Sequence, residues 1–220
     1  MRAAVVAALL MTVAGSATAE NQVWVSYVGQ ARIGEQSGPS LWLDLHERRR
    51  SDSTLFIVRP GIGYAFSPNL FMHVGFAWVP LDADDPAAAT VNELRLWQQV
   101  IGNRTFNDAF KGQLRARFEE RWGPGEEFGY RLRLLARGQL QPSQVFPLQL
   151  VVVNEVFVGF NDTDWAAKQG FDQNRLFVGL GVDTKIKGVR VEAGYMSVYL
   201  NGVDRFDSVA AINLTSNNVF

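Results

Sequence analysis

Residues 128–140 read Phe128-Gly129-Tyr130-Arg131-Leu132-Arg133-Leu134-Leu135-Ala136-Arg137-Gly138-Gln139-Leu140. Tyr130, Leu132, Leu134 and Ala136 fall on one parity, and Arg131, Arg133 and Arg137 on the other. Successive side chains of a strand point to opposite faces, so this segment has an apolar face and an arginine face. The same rhythm surrounds it. In 110–122, Leu114, Ala116 and Phe118 oppose Gln113, Arg115, Arg117, Glu119 and Arg121. In 91–102, Leu94, Leu96 and Val100 oppose Glu93, Arg95 and Gln99. In 172–184, Leu176, Val178, Leu180 and Val182 oppose Gln173, Arg175 and Asp183.

Eleven stretches qualify as strands: 22–33, 41–50, 54–66, 70–79, 91–102, 110–122, 128–140, 147–160, 172–184, 188–200 and 207–220. Most match the roughly 9–11 residues that cross a bilayer obliquely and exceed the roughly 5–6 usual in soluble proteins. Turn chemistry separates them, as at Gly38-Pro39, Ser67-Pro68-Asn69, Gly123-Pro124-Gly125, Gln141-Pro142 and Lys187-Gly188. The expected fold is all-β: an antiparallel, transmembrane, up-and-down β-barrel with its apolar face outward. Bacterial barrels normally have an even number of strands. A count of eleven therefore points to ten or twelve, with twelve favoured because 22–33 alternates too cleanly to leave out.

Composition agrees with that placement. The chain of 220 residues is 47% hydrophobic, yet past the leader no apolar run approaches the roughly 20 residues a spanning helix needs. Arg2, the apolar run Ala3 to Ala14 and Ala17-Thr18-Ala19 have the pattern of a secretory signal, so residues 1–19 are expected to be removed, leaving 20–220 as one barrel domain. There is no cysteine, hence no disulfide and no thiolate metal site, and no cofactor or metal is expected. A net charge of −1 gives no support to nucleic-acid binding. Lysine is confined to Lys111, Lys168, Lys185 and Lys187, and arginine dominates the polar parity. Arginine mixed with Glu and Gln suits a lumen filled by bidentate ion pairs. A soluble β-sandwich would turn that face to water, where lysine is common. Trp24, Tyr64, Phe66, Trp78, Trp122 and Tyr199 lie near strand ends and suit interfacial girdles.

Short breaks follow the odd strands, and longer, acidic ones follow several even strands. Short turns face the periplasm in such barrels, which places Phe220 at the periplasmic end. The expected partners are outer-membrane lipid, lipopolysaccharide and the barrel-assembly machinery, which a terminal strand ending at Phe220 suits. Oligomeric state is left open.

The chain resembles a bacterial family known only as a domain of unknown function, family 2490, whose members are predicted outer-membrane β-barrels. The resemblance rests on Arg59-Pro60-Gly61-Ile62-Gly63-Tyr64, Gly75-Phe76-Ala77-Trp78-Val79-Pro80 and Asn92-Glu93-Leu94-Arg95-Leu96-Trp97-Gln98-Gln99. It continues through Arg115-Ala116-Arg117-Phe118-Glu119-Glu120-Arg121, Asn161-Asp162-Thr163-Asp164-Trp165 and Gly170-Phe171-Asp172-Gln173-Asn174-Arg175. It implies a location and a fold, and no activity.

Three groups of residues are candidates for function. Parity turns Arg32, Arg48, Arg59, Arg95, Arg115, Arg117, Arg121, Arg131, Arg133, Arg137, Arg175 and Arg190 inward, with Asp44, Glu93, Glu119, Glu155, Asp183 and Glu192. Such a lumen is either a narrow pore favouring anions or a plug that makes the barrel rigid, and small barrels are usually filled. His46 and His73 also face inward, and a Ser–His dyad would make a lipid A or phospholipid hydrolase. Neither has a serine at i+2, and Ser197 is the distant candidate. Asn161, Asp162, Asp164 and Asp172 are hard oxygen ligands that suit a loop cation or lipopolysaccharide-bridging cations. They also suit local turn hydrogen bonds, the preferred reading. Gly61, Gly63, Gly179, Gly181 and Gly194 mark close packing or bends. The favoured function is a structural or narrow-channel outer-membrane barrel. The alternatives are the hydrolase and a soluble periplasmic ligand-binding β-barrel.

Overall fold

A computed structural model describes residues 19–85, 89–142, 147–165 and 168–217. Phe220 and all of the expected signal segment except Ala19 lie outside the described residues. Eleven strands follow one another: β1 (Asn21–Arg32), β2 (Gly38–Arg49), β3 (Ser53–Ser67), β4 (Leu70–Ala83), β5 (Val91–Thr105), β6 (Phe110–Trp122), β7 (Phe128–Leu140), β8 (Leu148–Gly159), β9 (Gly170–Asp183), β10 (Val189–Leu200) and β11 (Arg205–Asn217). Among the described residues there is no α-helix, only a single 3-10 turn at Asn201–Val203. Strands β6 and β7 coincide with the segments read from the alternation. Strands β4 and β5 run further, to Ala83 and Thr105.

Each strand pairs antiparallel with the next, and the sheet closes on itself. Closure is made by β1 against β11, which run parallel from Asn21↔Ser208 to Gln30↔Asn217. The expectation of twelve strands is therefore wrong, and the count of eleven stands. An even number is required only when the first and last strands pair antiparallel. A parallel seam lets an odd number close without an edge, leaving no strand with unpaired backbone groups. The seam also puts the start of β1 and the end of β11 at opposite ends of the barrel. The end that carries the connections after even strands is called the even end below, and the other the odd end. The longest connection, 160–169, is at the even end.

Exposure follows parity. Large apolar side chains face outward on all eleven strands, for example Val25, Leu43, Ile62, Phe76, Leu96, Leu114, Leu134, Leu150, Leu180, Tyr195 and Ile212. The opposite parity fills the lumen with charge and aromatic rings. Outward aromatics gather toward the even end, where Phe118, Tyr130 and Phe160 stack, as do Phe171, Tyr199 and Phe206. Tyr64, Phe66, Phe106 and Phe110 do the same toward the odd end. Tyr64, Phe66, Trp78 and Trp122 are outward and exposed as the girdle reading expects. Trp24 is not a girdle residue: it points inward and is 6% exposed. Its parity with Ser26 and Gln30 places it on the lumen side, where its indole meets arginine rather than lipid.

Trp97 shows how a bulky ring fits inside. It is fully buried, with its N–H donated to the Phe76 carbonyl at 3.0 Å. Its ring lies over Gly61 and Gly75, where an added Cβ would come within 2.4 and 2.6 Å of it. Glycine at both positions lets the indole lie flat on the wall.

The parallel seam is testable because the chain has no native cysteine. Val25 and Ile212 are register partners on β1 and β11, and both face outward. Adjacent strands lie about 4.8 Å apart, within disulfide reach. Oxidised Val25→Cys/Ile212→Cys protein is expected to migrate faster than its reduced form on a denaturing gel. A twelfth strand between them would separate the pair by about 10 Å and prevent the bridge.

Candidate functional site

The strongest grouping of functional side chains is the lumen of β5 to β8. Glu93 receives both Nε and Nη2 of Arg95 at 2.8 Å, and Nε of Arg121 at 2.5 Å. Glu119 is fully buried and receives Arg131 Nη2 and Arg133 Nη1, each at 2.7 Å. Arg95 stands 3.9 Å away on the same carboxylate. Arg133 then reaches Glu155 at 2.8 Å, which Arg115 also binds at 2.7 Å. The result is one chain of ion pairs: Arg121, Glu93, Arg95, Glu119, Arg133, Glu155, Arg115. Its members lie on neighbouring strands because register partners repeat the polar parity, as in Arg95↔Arg121, Glu119↔Arg131 and Arg117↔Arg133. Arg137 pairs with Glu192, and Arg190 with Asp183 at 2.7 Å, as separate couples toward the odd end.

Aromatic faces lie against these same guanidiniums and against others. Phe157, 1% exposed, has the guanidinium carbons of Arg175, Arg133 and Arg131 at 4.4, 4.7 and 5.2 Å from its ring centre. Arg117 lies 4.8 Å from the Trp97 ring centre and 5.6 Å from that of Trp42. These rings supply a negative face to a cation in a water-poor interior. Parity already puts Trp42, Trp97 and Phe157 with the polar residues, so their inward position is legible in the alternation.

Both histidines have partners that parity could not reveal. His46 binds the Asp44 carboxylate through Nε2, and Arg59 binds the other oxygen of Asp44. Ser26 faces His46 across the β1–β2 ladder, but its hydroxyl donates to Asn213 Oδ1 at 2.6 Å. His73 meets Ser40, whose Oγ is 2.9 Å from Nε2. Ser40 and His73 sit on β2 and β4, and both pair with Gly63 of the intervening β3. Gln99 completes the row 3.4 Å from Nδ1.

This serine–histidine–glutamine row has a fixed hydrogen-bond direction. Arg117, which can only donate, gives Nε and Nη2 to Gln99 Oε1 at 2.9 and 2.6 Å. The Gln99 amide nitrogen must then face His73 Nδ1 and donate to it. That leaves the ring proton on Nε2, donated to Ser40, and Ser40 donates onward to the Ala31 carbonyl at 3.0 Å. A general base needs the opposite tautomer, with Nε2 free to accept the serine proton. Ser40 and His73 are each 1% exposed, so the row ties β1, β2, β4, β5 and β6 together rather than facing a substrate.

The lumen is not uniformly filled. A cavity of about 500 Å³ enters from the odd end, past Gln30, Asn103, Lys111, Gln139 and Asn217. It ends deep in the barrel against Trp24, Arg48, Arg133, Glu155 and Arg175. Toward the even end the lumen of β5 to β8 is tightly packed: Arg117 and Glu119 are 0% exposed, and Arg131 and Arg121 are 7% and 8%. Trp165, from connection 160–169, lies over Arg121 at 4.9 Å and donates its N–H to the Glu127 carbonyl at 2.8 Å.

The four loop oxygen ligands are not gathered around a common point. Asn161 accepts from the Tyr130 N–H at 2.9 Å and donates to the Phe128 carbonyl at 2.7 Å. Asp164 accepts the N–H groups of Glu126 and Glu127 at 3.0 and 3.4 Å, and Asp162 accepts that of Gln169 at 2.9 Å. Asp172 faces Arg131 at 3.4 Å. Among the described residues, no group of three or more His, Cys, Asp or Glu stands close enough to hold a metal ion. Asp164 thus staples connection 160–169 onto connection 123–127, Asn161 ties it to β7, and Asp162 bonds within it.

Glu119→Gln takes the nearer carboxylate from Arg131, which keeps Asp172 at 3.4 Å, and one of two from Arg133, which keeps Glu155 at 2.8 Å, and is expected to cost roughly 3 kcal/mol of stability. A reversible urea titration of the protein in detergent reads that loss. Asp183→Asn removes a pair whose carboxylate side chain is 60% exposed and is expected to cost no more than about 1 kcal/mol.

A family model described as a protein of unknown function, DUF2490, matches residues 21–209. An uncharacterized protein of Methylorubrum extorquens is 32% identical over 165 residues, which cover 72% of this chain and 70% of that protein. No solved structure matches. The match spans every strand from β1 to β10 and enters β11, so the chain belongs to the DUF2490 family, whose function is unknown.

Proposed function

We propose that this protein is an outer-membrane β-barrel with a closed lumen, serving as a rigid membrane scaffold rather than a through-channel. One observation carries the proposal. All eleven strands turn large apolar side chains outward while Arg59, Arg117, Glu119 and Glu192 are at most 1% exposed inside. A soluble protein rarely exposes an apolar patch beyond a few hundred Å². A continuous apolar band around a closed sheet matches hydrocarbon as its solvent. Outward aromatics toward both ends suit the two interfaces.

The orientation follows from the same geometry. Connection 160–169, folded over Arg121, belongs outside, and the odd end with its cavity mouth belongs in the periplasm. Lipid and lipopolysaccharide then surround the wall, the barrel-assembly machinery receives the C-terminal strand, and an N-terminal signal takes the chain across the inner membrane.

The other readings lack such support. A hydrolase needs a histidine that accepts a serine proton, and the direction of the Arg117–Gln99–His73–Ser40 chain is the reverse. A soluble ligand-binding barrel needs its polar face outward, where Val25, Leu134 and Ile212 stand instead.

Expression in a Gram-negative host, followed by membrane fractionation, tests the proposal. The protein is expected in the outer-membrane fraction, with unboiled and boiled samples migrating differently on a gel. Recovery in the soluble periplasmic fraction contradicts it.

A further inference from the structure

The deep end of the cavity holds two cations without a carboxylate within ion-pair distance among the described residues: Glu155, the register partner of Arg175, lines the same floor, but its ion pairs go to Arg115 and Arg133. Arg48 is 7% exposed and lines the cavity, yet no described residue forms an ion pair or hydrogen bond with its side chain. Its Nε is buried without a partner. Its guanidinium carbon sits 4.0 Å from the centre of the Trp24 ring. Arg175 lines the same cavity and sits 4.9 Å from the same ring. Arg175 donates Nε and Nη2 to Gln173 Oε1 at 3.2 and 3.1 Å, a neutral acceptor. Elsewhere in the lumen the buried arginines share carboxylates, as on Glu93, Glu119 and Glu155. Two guanidiniums brought to one indole repel each other, and buried charge without a counter-charge is unfavourable.

The indole between them is held in place. Trp24 donates its N–H to Gln22 Oε1 at 2.8 Å, and Gln22 donates to Asp207 Oδ2 at 3.0 Å. The surroundings of the two arginines are apolar on the other side: Leu135, Val153, Phe177 and Met196 line the same cavity. A volume of about 500 Å³ falls within the roughly 300–1,000 Å³ usual for small-molecule sites, which combine an apolar wall with a few polar groups. Arg104 and Lys111 stand exposed at the mouth and add positive charge to the way in.

We propose that this cavity binds a small organic anion, with its carboxylate against Arg48 and Arg175 and its apolar body against Phe177, Met196, Val153 and Leu135. The anion adds counter-charge to a floor whose Glu155 is already shared by Arg115 and Arg133, and the apolar wall selects a hydrocarbon or aromatic body over an inorganic ion. This goes beyond the scaffold proposal and does not depend on it. The barrel and its cavity are the same wherever the protein resides, so a failed fractionation and a failed titration are separate results.

Isothermal titration of the full folded protein in a non-ionic maltoside detergent tests it, with decanoate, decanol and inorganic phosphate as probes. Decanoate is expected to bind saturably, and decanol and phosphate at least about tenfold more weakly. Arg48→Gln and Arg175→Gln should each weaken decanoate by about tenfold or more, and Arg48→Lys by less. The mobility difference between unboiled and boiled samples checks that each variant is folded. Absence of saturable decanoate binding overturns the proposal. So does decanol or phosphate binding as tightly as decanoate, or either glutamine variant binding decanoate like the parent. Should one glutamine variant fail to fold, the other and the three-probe comparison decide.

Discussion

A guanidinium taken out of water needs an anion or an aromatic face, and this barrel encloses more guanidiniums than carboxylates. The rest of the interior is arranged around that demand. Glu93, Glu119 and Glu155 each serve at least two arginines, and Arg95 and Arg133 each link two carboxylates. Phe157 and Trp24 take Arg175 and Arg48, and Trp97 adds its face to Arg117, which also pairs with Asp44 at 3.6 Å. The magnitudes explain the sharing. A pair at 4 Å gains about 4 kcal/mol at an effective dielectric of 20, while removing each ion from water costs several kcal/mol. One carboxylate per arginine would roughly break even. Sharing each carboxylate lowers the number of desolvated anions, and each aromatic contact adds about 0.5–2 kcal/mol without desolvating another charge.

The network's contribution is therefore to geometry more than to net stability. Glu119 can meet Arg131 and Arg133 only if β6 and β7 keep the register Glu119↔Arg131 and Arg117↔Arg133. Slipping one strand by one residue would turn its arginines toward the apolar surroundings. The serine–histidine–glutamine row fixes β2, β4 and β5 in the same way. Together these contacts pack the lumen of β5 to β8, while the cavity runs in from the odd end as far as Trp24 and Arg48.

Much of this was legible in the sequence. Alternation placed β6 and β7 to the residue and assigned the inward parity of Glu119, Arg131, Arg133 and Glu155, because a period of two needs no tertiary information. The eleven strands were legible, but the preference for twelve came from the even-number habit of such barrels, which a parallel β1–β11 seam sets aside. Trp24 was misplaced because tryptophan suits an interface equally well, although its parity with Ser26 already pointed inward. The meeting of Ser40 with His73 spans a whole strand, β3, and depends on register at two ladders. Asn161, Asp162 and Asp164 look like cation ligands by composition. Which of their oxygens a backbone N–H occupies is decided by how two connections fold against each other.

The central claim is that the ion-pair chain closes the lumen against through-flow. Single-molecule current recording across a planar lipid bilayer tests it most directly. The folded protein, inserted at a density verified by antibody labelling, is predicted to give no steady ohmic current in molar potassium chloride. A stable open level in the parent protein, scaling linearly with voltage, would contradict the account.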